Sequence, residues 1–156
     1  MIQKHTKENE IKKVLGEWAK YIVEIGLAYK NNQDFENIAD ELFKKLYAFN
    51  EGNVLFKPTM AKVAQFRTKK EEFYSYFLGI NNVCKEDKGF ALKPWKEIKF
   101  ENYDSSTYGN IILTMGNYFF KDYKNNIVQA EYTFGFLKLD QNQLKIILHH
   151  SSLVTN

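Results

Sequence analysis

Apolar residues recur along this chain with two periods, and the change from one to the other divides it. Ile11, Val14, Leu15, Trp18, Ile22, Ile25 and Tyr29 fall at helical spacing, which predicts a long amphipathic helix over roughly residues 7–30. Asn31-Asn32-Gln33 breaks it. Asp34 is a candidate N-cap for a second helix striped by Ile38, Leu42, Phe43 and Leu46 and ending near Asn50-Glu51-Gly52-Asn53. Pro58 disfavours helix at Lys57, so Val54–Thr59 reads as an ordered connection with Thr59 at its end. Thr68-Lys-Lys-Glu71 has the form of a capping box opening a short aromatic helix, Phe73–Leu78, which Gly79 stops. From Gly89 onward alternation takes over. It predicts strands at about 90–102, 108–120, 127–139 and 144–152, separated by Asp104-Ser-Ser, Asp122–Asn126 and Asp140–Asn142. Helices first and an antiparallel meander afterwards give an α+β single domain over 1–156, with 1–8 a tail, 9–80 mainly helical and 89–153 the sheet.

The strand faces carry a message about partners. Ile111, Leu113, Met115 and Phe119 lie on one side of the second strand, and Ile112, Tyr118 and Phe120 on the other. In the third, Phe134 and Phe136 oppose Leu137 and Leu139. A sheet with helices on one side only needs a polar second face. This one lacks it, which predicts a homodimer formed through the sheet.

The last strand, Leu144–Leu153, starts apolar and ends in four hydrogen-bonding side chains. Alternation puts Ile147, His149 and Ser151 on one face and Leu148, His150 and Ser152 on the other. Such a strand is either the wall of a pocket with a polar floor or a polar end fraying into solvent.

Composition narrows the classes. The chain has 156 residues and a net charge of +3, with Lys and Glu interspersed, so nucleic acid is not an expected partner. The single Cys84 excludes an internal disulfide and a multi-cysteine zinc site. No apolar run approaches 18 residues and Met1–Glu10 has no signal-like core, so no membrane contact and a cytoplasmic home are expected.

Seven stretches occur in register with a known family: Leu55–Thr59, Gln65–Arg67, Tyr76–Gly79, Asp87–Trp95, Met115–Tyr118, Glu131–Gly135 and Leu148–Leu153. Together they resemble the iota-class carbonic anhydrases, built on the fold of the calcium/calmodulin-dependent kinase II association domain. The resemblance implies a cone-shaped nuclear transport factor 2-like fold, with helices packed on a curved antiparallel sheet. It also implies a homodimer that hydrates carbon dioxide reversibly to bicarbonate in a pocket inside the cone, without metal or other cofactor. The matching positions are Thr59, Tyr76, His149 and Ser151 as catalytic residues, with Thr59, Tyr76 and Ser151 also binding substrate. Members often have a third histidine where this chain has Leu148, and many carry a targeting leader that is absent from Met1–Glu10.

Zinc commonly supplies the activated water for this reaction. This chain has only His5, His149 and His150, and the adjacent pair points to opposite faces. Without metal, the hydroxyls of Thr59, Tyr76 and Ser151 can each donate and accept. His149, at the ordinary histidine pKa, is the natural proton carrier. Arg67 reads as a solvated surface cation and Cys84 as inert. Glu131, Thr133 and Asn117 line the polar end of the cone or pair across strands. The competing reading is a non-catalytic oligomerisation or small-molecule-binding module, or an isomerase with Asp40 or Glu131 as its base.

Overall fold

The computed structural model describes residues 2–155. Helix α1 spans Ile2–Lys30, so it starts earlier than the periodicity indicates, and residues 2–8, expected as a tail, are helical. Six of its seven stripe residues are buried; Tyr29 is half exposed and lies edge-on against Phe35. Helix α2, Phe35–Leu46, begins under the cap expected, with Asp34 Oδ1 accepting the Asn37 N–H at 3.1 Å. It stops before Asn50 because Tyr47 is already extended and bridges Ile146. Helix α3, Lys70–Leu78, is capped one residue further along than Thr68-x-x-Glu71 implies. Glu72 accepts from the Thr68 and Lys69 N–H groups, whereas Lys69 at the N-cap has no atom with which to accept in return. Gly79 ends it at φ +65°, a left-handed turn that glycine adopts without strain.

Five strands form one sheet in the order β1-β5-β4-β3-β2. They are β1 (Leu55–Lys57), β2 (Trp95–Tyr108), β3 (Ile111–Asp122), β4 (Ile127–Lys138) and β5 (Leu144–Leu153). The last four are antiparallel neighbours, as expected. β1, read from sequence only as a connection, pairs parallel to β5, so the sheet is mixed. Asp104-Ser-Ser is not a turn. β2 runs through it to Tyr108, and the hairpin closes at Gly109-Asn110, with Gly109 at φ +61°.

Bulges curl this sheet. The β2–β3 register slips between Asn102 and Asp104, and the β4–β5 register slips between Gly135 and Phe136. The result is visible at Trp18 of α1. Its indole touches Phe100 of β2, Tyr118 and Phe120 of β3, Phe134 of β4 and His149 of β5. Four strands can reach one side chain only if the sheet wraps around it. At the other end of α1 a Cβ on Gly26 would sit 2.9 Å from the Ala91 carbonyl, so glycine lets the helix lie against the 3-10 turn Phe90–Leu92. That contact fixes one wall of the interior.

The convex face of the sheet carries Leu113 and Met115, both exposed. Asn117 and Glu131 pair across β3 and β4, and Thr133 pairs with His150 of β5. All three side chains belong to this outer surface and none lines the interior. Among the described residues, no helix is long and apolar enough to cross a membrane.

Candidate active site

The β5 bulge decides what that strand presents. Ile146 and Leu144 are buried, Ile147 is only partly so, and alternation resumes beyond it with His149 and Ser151 inward and His150 outward. The expected pairing of His149 with Ser151 therefore holds, while Ile147 falls out of step because the bulge inserts one residue.

His149 occupies an aromatic cage. It stacks on Phe134 at 4.2 Å and lies against Phe56, with Trp18 edge-on. Its Nδ1 is 3.0 Å from the Tyr47 hydroxyl and its Nε2 is 3.4 Å from the Tyr118 hydroxyl. Burial, with the nearby His150 adding to it, pushes its pKa down to about 3. The ring is neutral at physiological pH. The proton-carrying role that an ordinary histidine pKa allows does not suit it.

The hydrogen bonds around this ring join into one chain. Trp18 Nε1–H can only donate, and it donates to the Tyr47 oxygen at 3.0 Å. If the Tyr47 proton goes to His149 Nδ1, the imidazole proton is on Nε2, facing Tyr118. Tyr118 donates to Ser151 Oγ, and Ser151 lies 2.5 Å from Thr59 Oγ1. Every hydroxyl in this chain can both accept and donate. The chain runs from a buried indole to the Thr59 hydroxyl.

Thr59 stands at the edge of a cavity of about 980 Å³. Phe90, Leu92, Trp95, Phe120 and Val128 supply apolar wall, and Thr59 and Tyr76 supply hydroxyls. Of the four residues expected at the site, these two line the cavity; Ser151 sits behind Thr59, and His149 lies behind Tyr118. The Tyr76 oxygen accepts the Met60 N–H at 3.4 Å, and its ring stacks on Phe90. Burial holds the Tyr76 and Tyr47 phenols well above the ordinary tyrosine pKa and pushes Tyr118 up to about 12. Hydrogen bonding from Thr59 works the other way on both Tyr76 and Tyr118. All three phenols are donors at neutral pH.

The segment carrying Thr59 is pinned from outside. The Glu86 carboxylate accepts the backbone N–H groups of Lys62, Val63 and Ala64. Arg67 is fully buried and grips Asp87 through both guanidinium ends, with its plane 5.6 Å from the Tyr76 ring. The surface position expected for Arg67 is thus corrected: its cation has an internal carboxylate waiting for it. Cys84 is partly buried, and burial raises its pKa, so the thiol stays protonated.

Three residues of this network were missed in the sequence: Tyr47, Tyr118 and Trp18. Trp18 and Tyr118 lay in predicted apolar faces, and Tyr47 lay beside the stripe of the second helix. The signal available was that a buried tyrosine or tryptophan needs a partner for its polar atom. The isomerase alternative loses its bases, since Asp40 is exposed and accepts from Tyr74, and Glu131 is on the outer face. Among the described residues no three His, Cys, Asp or Glu side chains come together as a metal ligand set.

The model of the metal-independent carbonic anhydrase family matches residues 9–153. A metal-independent carbonic anhydrase of Nostoc sp. is 33% identical over 156 residues, 98% of this chain and 76% of that protein. The crystal structure of a cyanobacterial iota-carbonic anhydrase complexed with bicarbonate superposes with a TM-score of 0.90 at 33% identity, covering 96% of this chain and 93% of the other. More distant structures share the fold alone. They include a kinase II association-domain protein of Xanthomonas campestris (TM-score 0.60, 23% identity, 94% and 87% covered) and an NTF2-like protein of Streptomyces avermitilis (TM-score 0.64, 15% identity, 98% and 99% covered). With a match over nearly its whole length and a bicarbonate-binding homologue of the same architecture, this chain belongs to the metal-independent carbonic anhydrase family.

Proposed function

We propose that this chain hydrates carbon dioxide to bicarbonate at the polar end of the 980 Å³ cavity, between Thr59 and Tyr76. The observation that carries this reading is that two hydroxyl-bearing side chains, Thr59 and Tyr76, line one largely apolar cavity. Carbon dioxide is apolar and seats against Phe90, Leu92 and Phe120. As water attacks the carbon, negative charge grows on the two original oxygens. Thr59 and Tyr76 donate to them there, in place before the charge appears, which is the economical way to stabilise it. Ser151, Tyr118 and His149 act through Thr59 by keeping its proton aimed at the cavity. They position rather than touch substrate.

No group at the polar end is a ready base, because the phenols are protonated and both nitrogens of His149 are engaged. The proton released in hydration therefore leaves through the cavity mouth to water or buffer, and the rate should rise with buffer concentration. The family's name supports a reaction without metal, and so does that of the Nostoc relative. The protein works as a homodimer through the convex face, where Leu113 and Met115 are otherwise open to water.

Stopped-flow hydration assays test the donor roles. Tyr76→Phe, Thr59→Val and Ser151→Ala are each expected to lower kcat by about 10²–10³, the loss typical of one preorganised donor. Full activity in both Tyr76→Phe and Thr59→Val would remove the proposed site.

A further inference from the structure

Resting on the reading that Thr59 and Tyr76 cradle bicarbonate, we propose that the same cavity binds medium-chain alkyl carboxylates, head-first at those hydroxyls. The motive is a mismatch of size. A cavity of about 980 Å³ is at the upper end of pockets that enclose drug-sized organic molecules. Carbon dioxide and bicarbonate have three and four heavy atoms and fill a small part of it. What remains is open space against an apolar wall of Phe90, Leu92, Trp95, Phe120 and Val128.

The chemistry of the two ends names the ligand class. A carboxylate presents the same two oxygens on a planar carbon as bicarbonate does, so the donors that hold one can hold the other. Lys62, Lys88 and Lys93 stand at the mouth. The carboxylates that also reach it are already engaged: Asp87 by Arg67, and Glu86 by Arg67 and the amides of residues 62–64. Lys62, Lys88, Lys93 and Arg67 face Glu86, Asp87 and the Asp122 beside Lys93, four cations against three carboxylates, so the rim is net positive. Anions are drawn in, an acid group finds paired hydroxyl donors, and an alkyl tail finds aromatic wall. A neutral amide keeps the wall and a carbonyl for the hydroxyls but lacks the charge, and an alkylammonium is repelled at the rim.

Titration calorimetry at fixed pH and salt tests this with acetate, butyrate, hexanoate and octanoate, and with octanamide and octylamine as charge controls. Affinity should rise about three- to fourfold per methylene, the gain for moving each group from water to an apolar wall. Octanamide and octylamine should bind at least tenfold more weakly than octanoate. Thr59→Val should weaken every acid, and Lys88→Glu should weaken octanoate while leaving octanamide as it was. Leu153→Trp, a residue at the mouth, should reduce the advantage of octanoate over butyrate. Affinity independent of chain length, or equal binding of octanoate and octylamine, would overturn the proposal, as would full octanoate binding by Thr59→Val. Calorimetry needs no turnover, so the two readings fail separately. A chain that binds octanoate through Thr59 but does not hydrate carbon dioxide loses its proposed function and keeps this site. A chain that hydrates carbon dioxide without octanoate competing against bicarbonate loses this site alone.

Discussion

His149 and His150 are adjacent in sequence and opposite in physics. One ring is caged by Phe134, Phe56 and Trp18; the other is open to water. The caged ring has a folded pKa of about 3 against about 6.5 unfolded, so between those values the unfolded chain binds the extra proton. Its contribution to stability is complete above pH 6.5 and is lost as pH falls towards 3. Denaturant titrations from pH 7 to 4 should show stability falling with acid by up to about 1.4 kcal/mol per pH unit from this group. His149→Phe should be less stable at pH 7 and lack that slope, whereas His150→Ala should keep it and change stability by less than about 0.5 kcal/mol. Equal pH profiles for the two variants would contradict the cage. The inward position of His149 was legible from alternation alone. Its depressed pKa was not, because that depends on aromatic neighbours from α1, β1 and β4 that only tertiary packing brings together.

Among the elements, the segment from Thr59 to Arg67 is the least regular and carries the most consequence. It has one short strand before it and Glu86, Asp87 and the buried Arg67 holding it in place. Removing Arg67 leaves the Asp87 carboxylate nearly buried and without its cation. Arg67→Met is therefore expected to cost about 3–5 kcal/mol in urea unfolding, far more than a surface arginine would. A loss under about 1 kcal/mol would mean that Asp87 reaches water. This clamp was opaque in the sequence because Arg67 and Asp87 lie twenty residues apart, on either side of α3 and in polar segments that look solvated. Most other elements were legible, since α1, α2 and the four long strands each bury a periodic stripe. The errors fell where tertiary pairing overrode local pattern. Tyr47 left its helix to bridge Ile146, Leu55–Lys57 became a strand by pairing with β5, and Asp104-Ser-Ser was carried through as strand by its pairing to Leu113, Thr114 and Met115.

For the whole molecule, the curled sheet solves two problems at once. Its concave side wraps Trp18 and encloses the cavity, while its convex side is left with Leu113 and Met115 exposed. Light scattering at micromolar concentration should give twice the mass of the 18.4 kDa chain, and Met115→Lys should shift it towards one copy. A monodisperse monomer would place the dimer reading in error. On the proposed reading, hydroxyl donors joined by a chain of hydrogen bonds hydrate carbon dioxide in that cavity. Stopped-flow hydration by the purified protein, with and without a strong chelator, and by Tyr76→Phe alongside, tests it most directly. Hydration well above buffer that is unchanged by chelator and falls about 10²–10³ in Tyr76→Phe is expected. A wild-type rate equal to buffer, or a rate abolished by chelator and restored by one metal ion, would contradict it.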